Sequence, residues 1–235
     1  MTAEFIGKQG FGFVTEIKRP PLEKIKAISA FPVAIVADAI GRRGVMDAGI
    51  KPLDSRSKLC GPAITVEVRV GDNLMIHVAL KLAEAGDVLV INAHGNLNNA
   101  LWGAITTKVA LQKKLAGVVI DGAVRDALEI QELGLPVFCR GINPCGGGKE
   151  GPGIVNFPIS CGGISVQPGD IILGNGDGVV VVPQNQVDDA IMFASQRQEI
   201  EKKRLDGIEK GILYPEWLEP TLHKKGILSK SEKLP

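Results

Sequence analysis

The order of the elements is decided by residues 117–138, GVVIDGAVRDALEIQELGLPVF. Gly117 opens the apolar run Val118–Ile120, which predicts a buried strand. Helical spacing of apolar residues over Ala127–Leu133 predicts a helix, and Pro136–Phe138 predicts another short strand. A strand, a helix and a strand with short connections form a β-α-β unit, so we expect two parallel strands that the helix covers.

The same order of elements precedes this unit. Ile64–Val70 alternates apolar and polar residues and predicts a half-buried strand, and a helix is predicted over Leu74–Glu84. The continuous apolar run Val88–Ile91 predicts a buried strand, and helical spacing follows over Leu97–Lys114. The sequence therefore predicts an α/β fold with a parallel sheet covered by helices.

Shorter elements follow this region. The loop over residues 141–153 contains six glycines and two prolines. Beyond it, turn signals separate short apolar runs, which favour a small antiparallel or barrel-like layer. These strands are predicted at Ile154–Ile159, Ile164–Val166, Ile171–Leu173 and Val179–Val182.

The two ends of the chain have simpler patterns. An irregular leader is predicted over residues 1–21, and short helices follow over Leu22–Ser29 and Pro32–Ile40. A long helix is predicted over Gln184–Lys203. We therefore divide the chain into a leader (1–21), one core domain (22–183) and a C-terminal helix and tail (184–235).

Composition excludes several classes of protein. Hydrophobic residues make up 45% and aromatic residues only 4%, so aliphatic side chains must fill a substantial core. The net charge of +1 provides no field that attracts nucleic acid, and the apolar runs are too short to span a membrane. The four cysteines lack C-x-x-C spacing and no signal peptide is recognisable, so we expect reduced thiols and a cytoplasmic location.

Two residues after the strand Val118–Ile120 are candidates for a binding site. Ligands gather at the carboxyl ends of parallel strands, and Arg125 and Asp126 follow this strand end directly before a helix. Arginine offers a planar fork to a carboxylate, and one aspartate can hold a hard divalent cation with waters completing the coordination. The structural alternative is that Asp126 caps the helix and Arg125 pairs with it or with another surface acid.

Other polar residues give weaker signals. His77 and His94 are possible acid-base groups by residue type, although a single histidine is more often a surface or core polar residue. Lys149 could reach an anion from the glycine-rich segment 146–151. That segment lacks the Gly-Lys-Ser/Thr ending of a phosphate loop, so a flexible surface lysine is the expected alternative.

A series of blocks, taken together and in order, resembles the RraA-like family. The blocks are Gly86–Val90, Asn99–Gly103, Gly117–Asp126, Leu135–Phe138, Cys161–Val166, Pro168–Asp170 and Asp177–Pro183. The resemblance implies a single-domain α/β sandwich with a swivelling β/β/α core, in which a mixed sheet is accompanied by short antiparallel or barrel-like strands. It also implies a homo-oligomer, either a trimeric ring or a hexamer made of two trimers.

The resemblance implies a function and a set of site residues. The family contains class II aldolases that act on 4-hydroxy-4-methyl-2-oxoglutarate and 4-carboxy-4-hydroxy-2-oxoadipate and that also decarboxylate oxaloacetate. Arg125 is implied to bind substrate, and Asp126 to be the direct ligand of a divalent cation, Mg²⁺ foremost or Mn²⁺. Glu201, with Glu199 as second choice, is implied to reach the metal site of a neighbouring subunit. The backbone that holds the pyruvate moiety is implied to be that of Gly103, Ala104, Ile105 and Thr106.

The sequence departs from the family pattern at two positions. Aldolases of the family often carry an acid directly after the glycine that matches Gly103, where this chain has Ala104, and Asn96 stands where another aspartate is frequent. The leading hypothesis is a metal-dependent lyase of small 2-oxo acids, in which the cation and Arg125 stabilise an enolate. The first alternative is a ring-shaped binding protein of the ribonuclease E regulator type, and a further one is a lyase that acts on a different hydroxy acid or sugar acid. Ala104 supports the first alternative, whereas the retained Asp126 opposes it.

Overall fold

The computed structural model describes residues 4–229 and 231–234. Contacts divide the chain into two compact units, Met1–Ala194 and Ser195–Pro235. The helices are α1 (Leu22–Ser29), α2 (Val33–Ala39), α3 (Leu74–Leu82), α4 (Ala104–Gln112), α5 (Ala127–Leu133), α6 (Val187–Glu209) and α7 (Leu218–Lys224). The first strands are β1 (Phe5–Lys8), β2 (Phe11–Val14), β3 (Lys51–Pro52), β4 (Leu59–Val68), β5 (Val88–Trp102) and β6 (Gly117–Val124). The remaining strands are β7 (Val137–Ile142), β8 (Gly153–Val155), β9 (Ile159–Cys161), β10 (Ile164–Val166), β11 (Ile171–Asn175) and β12 (Gly178–Val182).

The strands of the first unit form a mixed sheet. Within the described residues this sheet has ten strands, in the order β1-β2-β8-β4-β5-β6-β7-β3, with β11 paired to β4 and β12. The strands β4, β5, β6 and β7 are parallel, so the predicted β-α-β units are confirmed. The antiparallel pairs β11–β12 and β9–β10 supply the predicted short antiparallel strands.

Both faces of the central strands are buried. Along β5, Leu89 and Ile91 pack into one apolar cluster, whereas Val88 and Val90 pack into a second cluster on the other face. Successive side chains of a strand point to opposite faces, so a strand covered on both sides needs a continuous apolar run rather than an alternating one. This explains why the run Val88–Ile91 identifies a central strand.

Three sequence predictions are wrong in their local structure. The supposedly irregular leader contains β1 and β2, and β2 pairs in parallel with β8. The helical spacing assigned to Leu97–Lys114 does not form one helix, because β5 continues to Trp102 and α4 begins only at Ala104. The single strand predicted over Ile154–Ile159 is split into β8 and β9, and Asn156 between them has a positive φ of 62°. In each case the local structure depends on strand pairing with distant parts of the chain, which the local spacing of apolar residues cannot indicate.

All four cysteines are free, and burial raises the pKa of Cys139 to about 11 and that of Cys60 to about 12. In the part of the chain that the structure describes, no helix is both long enough and apolar enough to cross a membrane.

Candidate active site at the β6–α5 junction

A cleft of about 250 Å³ lies where β6 leads into α5. Arg125 and Asp126 form one of its walls, and Gly103, Ile105 and Thr106 at the start of α4 form another. The two walls meet because β5 and β6 are adjacent parallel strands whose last residues, Trp102 and Val124, are paired. The structure thus brings together most of the residues that the sequence selected, at the carboxyl ends of neighbouring strands.

Asp126 points away from its own helix. It stands at the N-cap position of α5 in the left-handed region (φ 57°), and its side chain makes no cap hydrogen bond there. Instead, the backbone N–H of Ala104 donates a hydrogen bond of 3.1 Å to Asp126 Oδ2. The part of the structural alternative in which Asp126 caps α5 is therefore wrong, because the carboxylate faces the positive end of α4 across the cleft.

Arg125 lies beside this carboxylate. Its Nε is 3.6 Å from Asp126 Oδ2, and both side chains are partly exposed, at 45% and 39%. At this distance the two groups form an ion pair without a hydrogen bond, so the other part of the alternative, the pairing of Arg125 with Asp126, is confirmed. Both side chains are therefore partly accessible to a ligand.

Gly103 is required by the close approach of this pair. A Cβ at position 103 would lie 2.7 Å from Asp126 Oδ2 and 3.1 Å from Arg125 Cγ. Its φ of −161° is extended backbone that any residue adopts, so a larger residue here would displace the Asp126 carboxylate rather than strain the backbone. Gly146 has a similar relation to Arg125, because its added Cβ would lie 2.9 Å from Nη1.

The start of α4 is fixed by side-chain hydrogen bonds. Gly103 N–H donates to Thr106 Oγ1 (3.0 Å), and the Thr107 hydroxyl donates to the Gly103 carbonyl (2.9 Å). The buried Trp102 Nε1 donates to Thr107 Oγ1 (2.8 Å). The methyl group of Ala104 is buried, so this residue contributes its N–H to the site rather than its side chain. The helix terminus is thus held in a fixed orientation, with partial positive charge directed at the cleft.

The cleft also contains two residues that gave weak signals in the sequence, His77 and Lys149, and one that the sequence did not select, Asn73. His77 and Asn73, from the start of α3, and Lys149, from the glycine-rich loop, line it. Asn73 Oδ1 is buried and has no hydrogen-bond partner within residues 4–229 and 231–234. In the sequence, only the glycine-rich composition of residues 146–151 indicated that Lys149 could belong to a binding site. The fold shows that this loop borders the cleft.

Other candidates lie elsewhere. His94 does not line the cleft; its Nε2 is 3.0 Å from the Val68 carbonyl, and its backbone is left-handed (φ 57°). Asn96 accepts a hydrogen bond from Asn98 N–H at its Oδ1 (3.2 Å) and is also outside the cleft lining. Glu201 and Glu199 belong to the unit Ser195–Pro235, where both are exposed on α6.

The donor set fits a hard cation held mainly by water and substrate. The described residues contain no group of three or more His, Cys, Asp or Glu side chains that could enclose a metal ion. Mg²⁺ commonly uses one or two carboxylates and keeps several waters. Asp126 supplies a partly exposed carboxylate for such a cation.

The fold and the cleft define an α/β protein with a polar cleft at the carboxyl edge of its sheet, lined by Arg125, Asp126 and Lys149. A family model described as Aldolase/RraA matches residues 33–181, and the chain belongs to this RraA-like family. A putative 4-hydroxy-4-methyl-2-oxoglutarate aldolase from Halalkalibacterium halodurans is 36% identical over 203 residues, which cover 86% of this chain and 97% of that protein.

Solved structures support the same assignment. Streptomyces coelicolor RraAS2, described as an unusual member of the RNase ES inhibitor RraA protein family, superposes with a TM-score of 0.75 at 27% identity, covering 80% of this chain and 98% of that chain. The RNA-processing inhibitor RraA from Thermus thermophilus gives a TM-score of 0.60 at 30% identity, covering 65% and 92%. The relatives therefore carry both enzyme and inhibitor names.

Proposed function

We propose that this protein is a divalent-metal-dependent lyase that cleaves 4-hydroxy-2-oxo acids to release pyruvate and also decarboxylates oxaloacetate. The observation that carries the proposal is the pairing of Arg125 with Asp126 at the start of α4, where Ala104 N–H orients the carboxylate. The aldolase name of the 36% identical relative supports the same chemistry.

The substrate is bound by groups at the two strand ends. The α4 terminus offers backbone N–H groups of Ile105 and Thr106 to the substrate carboxylate, which the positive end of the helix dipole also attracts. Arg125 interacts with the 2-oxo group from the adjacent wall of the cleft. Gly103 leaves space for the substrate because it carries no side chain.

The reaction needs stabilisation of an enolate. When the C3–C4 bond breaks, its electron pair moves to form the C2–C3 double bond, and negative charge develops on the 2-oxo oxygen. The Arg125 guanidinium stabilises that charge more than it stabilises the neutral ketone, which lowers the barrier. A divalent cation held by Asp126 would supply a Lewis acid at the same oxygen.

Proton transfer is required for aldol cleavage but not for decarboxylation. Cleavage removes the proton of the C4 hydroxyl, whereas loss of CO₂ from oxaloacetate generates the same enolate without that step. His77 lines the cleft, is exposed and carries ring nitrogens that can accept or donate a proton, so it is our candidate for this transfer. We expect decarboxylation to tolerate the absence of an acid at position 104 better than cleavage does.

A second candidate function follows from Ala104. Its buried methyl group places no acid in the cleft at a position where family aldolases often carry one. A ring-shaped regulatory protein with little turnover would need no such group. One solved relative is described as an RNA-processing inhibitor, and another as an unusual member of the RNase ES inhibitor RraA protein family. The retained Asp126 favours the lyase.

Assembly is part of the proposal. Ile105 and Leu128 expose 73% and 76% of their surface on α4 and α5 beside the cleft, and a neighbouring subunit of a trimer or hexamer would cover them. In such an assembly Glu201 of the partner subunit would add a second carboxylate to the metal site. A cytoplasmic location, and no nucleic-acid partner, stay predictions.

The direct test is pyruvate release from a small panel of 4-hydroxy-2-oxo acids and from oxaloacetate, with Mg²⁺, Mn²⁺ or excess EDTA. We expect metal-dependent release that EDTA abolishes and added Mg²⁺ restores. Absence of turnover with all substrates and both metals would favour the regulatory alternative.

A further inference from the structure

The carboxylate of Asp72 joins two walls of the cleft. Asp72 is buried, follows the turn at Gly71, and does not itself line the cleft. Leu74 N–H at the start of α3 donates to its Oδ1 (2.9 Å), and Glu150 N–H donates to its Oδ2 (2.6 Å). One side chain therefore connects the helix that carries His77 to residues 145–151, which we call the glycine arm.

The glycine arm is attached at several points. Gly148 N–H donates to the Gly71 carbonyl (2.8 Å), and Asn73 N–H donates to the Gly148 carbonyl (2.9 Å). At the other end, Ala100 N–H donates to the Cys145 carbonyl (2.6 Å). Asp72 is the side chain that holds the arm directly after Lys149, because it binds the N–H of the next residue.

Asp72 is well suited to this task because it stays ionised. Burial is the largest influence and raises its pKa, but hydrogen bonds from the N–H groups of Leu74, Glu150 and Gly151 together lower the pKa below its usual value. A charged acceptor makes stronger hydrogen bonds than a neutral one, so the tether is firm.

We propose that Asp72 is a positioning residue that holds Lys149 at the cleft and thereby gives the site its preference for substrates with a second carboxylate. The inference rests on the proposed function for its substrates. Arg125 and Lys149 line the same cleft, and the arm packs against Arg125 at Gly146. The Arg125 side chain then binds the 2-oxo acid end of the substrate, and the Lys149 side chain is available for a distal carboxylate.

The test compares a substrate that has the second carboxylate with one that lacks it. Oxaloacetate decarboxylation serves as the first reaction, and exchange of the pyruvate C3 hydrogens in D₂O serves as the second. The variants are Asp72→Asn, Lys149→Met and the double variant. Glu150→Gln is the matched control, because it makes the same carboxylate-to-amide change beside Lys149 and keeps the backbone N–H.

We expect Asp72→Asn and Lys149→Met each to raise the KM for oxaloacetate about tenfold, the scale of one hydrogen bond to a charged group. The kcat, and the KM for pyruvate, should stay within about twofold of native, because Arg125 and Asp126 are untouched. The double variant should match Lys149→Met alone, because Asp72 acts through that lysine. Additive effects, or equal rises in KM for both substrates, would overturn the proposal and leave Asp72 a purely structural residue.

A measurement independent of turnover separates this inference from the proposed function. Amide hydrogen exchange of residues 146–151 should accelerate about tenfold in Asp72→Asn and stay unchanged in Glu150→Gln. Calorimetric binding of oxaloacetate and pyruvate in the presence of Mg²⁺ replaces KM if the native chain shows no turnover. Unchanged exchange in Asp72→Asn would refute the tether even in an active enzyme, whereas faster exchange with selective loss of oxaloacetate binding would support it in an inactive one.

Discussion

Replacing Asp126 by asparagine separates the chemistry of this residue from its backbone conformation. Asp126 has a φ of 57°, a region that costs an ordinary L-residue about 1–2 kcal/mol but that Asn and Asp tolerate. The amide of asparagine keeps the size of the side chain, and its oxygen can still accept the Ala104 N–H. Asp126→Asn therefore removes the negative charge alone, whereas Asp126→Ala removes the charge and also strains the backbone.

The structure gives the expected magnitudes. The Asp126 side chain is 39% exposed, so losing its attraction to the α4 terminus should cost at most ~1 kcal/mol of unfolding free energy. Turnover should fall roughly 10²–10³-fold, the scale for removing one preorganised electrostatic contact. Asp126→Ala should lose the same activity and a further ~1–2 kcal/mol of stability from left-handed strain.

The assays are urea unfolding, Mg²⁺-dependent pyruvate release and Mn²⁺ binding by electron paramagnetic resonance. Asp189→Asn on α6 is the control, because Asp189 is exposed and lies outside the cleft lining. If Asp126→Asn kept native turnover and Mn²⁺ affinity, the role of Asp126 as metal ligand would be refuted. If Asp126→Ala were as stable as Asp126→Asn, the argument from backbone strain would fail.

Three further predictions concern the same cleft. Gly103→Ala should lower turnover about 10²-fold with little change in melting temperature, because the added Cβ would lie 2.7 Å from Asp126 Oδ2 and displace that carboxylate. Gly207→Ala is the control, because its added Cβ would meet no atom closer than 3.8 Å. Ala104→Asp should raise aldol cleavage relative to oxaloacetate decarboxylation, because a general base typically contributes ~10²–10⁴-fold, and an unchanged ratio would give position 104 no role in proton transfer. Light scattering should give a trimer or hexamer at micromolar concentration, and a stable monomer would contradict the proposed assembly.

Local patterns determined the central part of the fold. Continuous apolar runs identify the parallel strands Val88–Ile91 and Val118–Ile120, because these strands are buried on both faces. Apolar residues at helical spacing identify the covering helix Ala127–Leu133, because this helix buries a single stripe. Placing Arg125 and Asp126 at a strand end was possible for the same reason. The family resemblance added the start of α4 as the other wall of the site.

Only the tertiary structure decided how these parts meet. Three features depend on hydrogen bonds to residues far away in the chain. They are the extension of β5 to Trp102, the pairing of the leader with the sheet through β2, and the position of the glycine arm that carries Lys149. The orientation of Asp126 toward Ala104, twenty-two residues earlier, is of the same kind. A sequence period reports which face of an element is buried, but it carries no information about which distant N–H a carboxylate will accept, because that is fixed by the packing of whole elements.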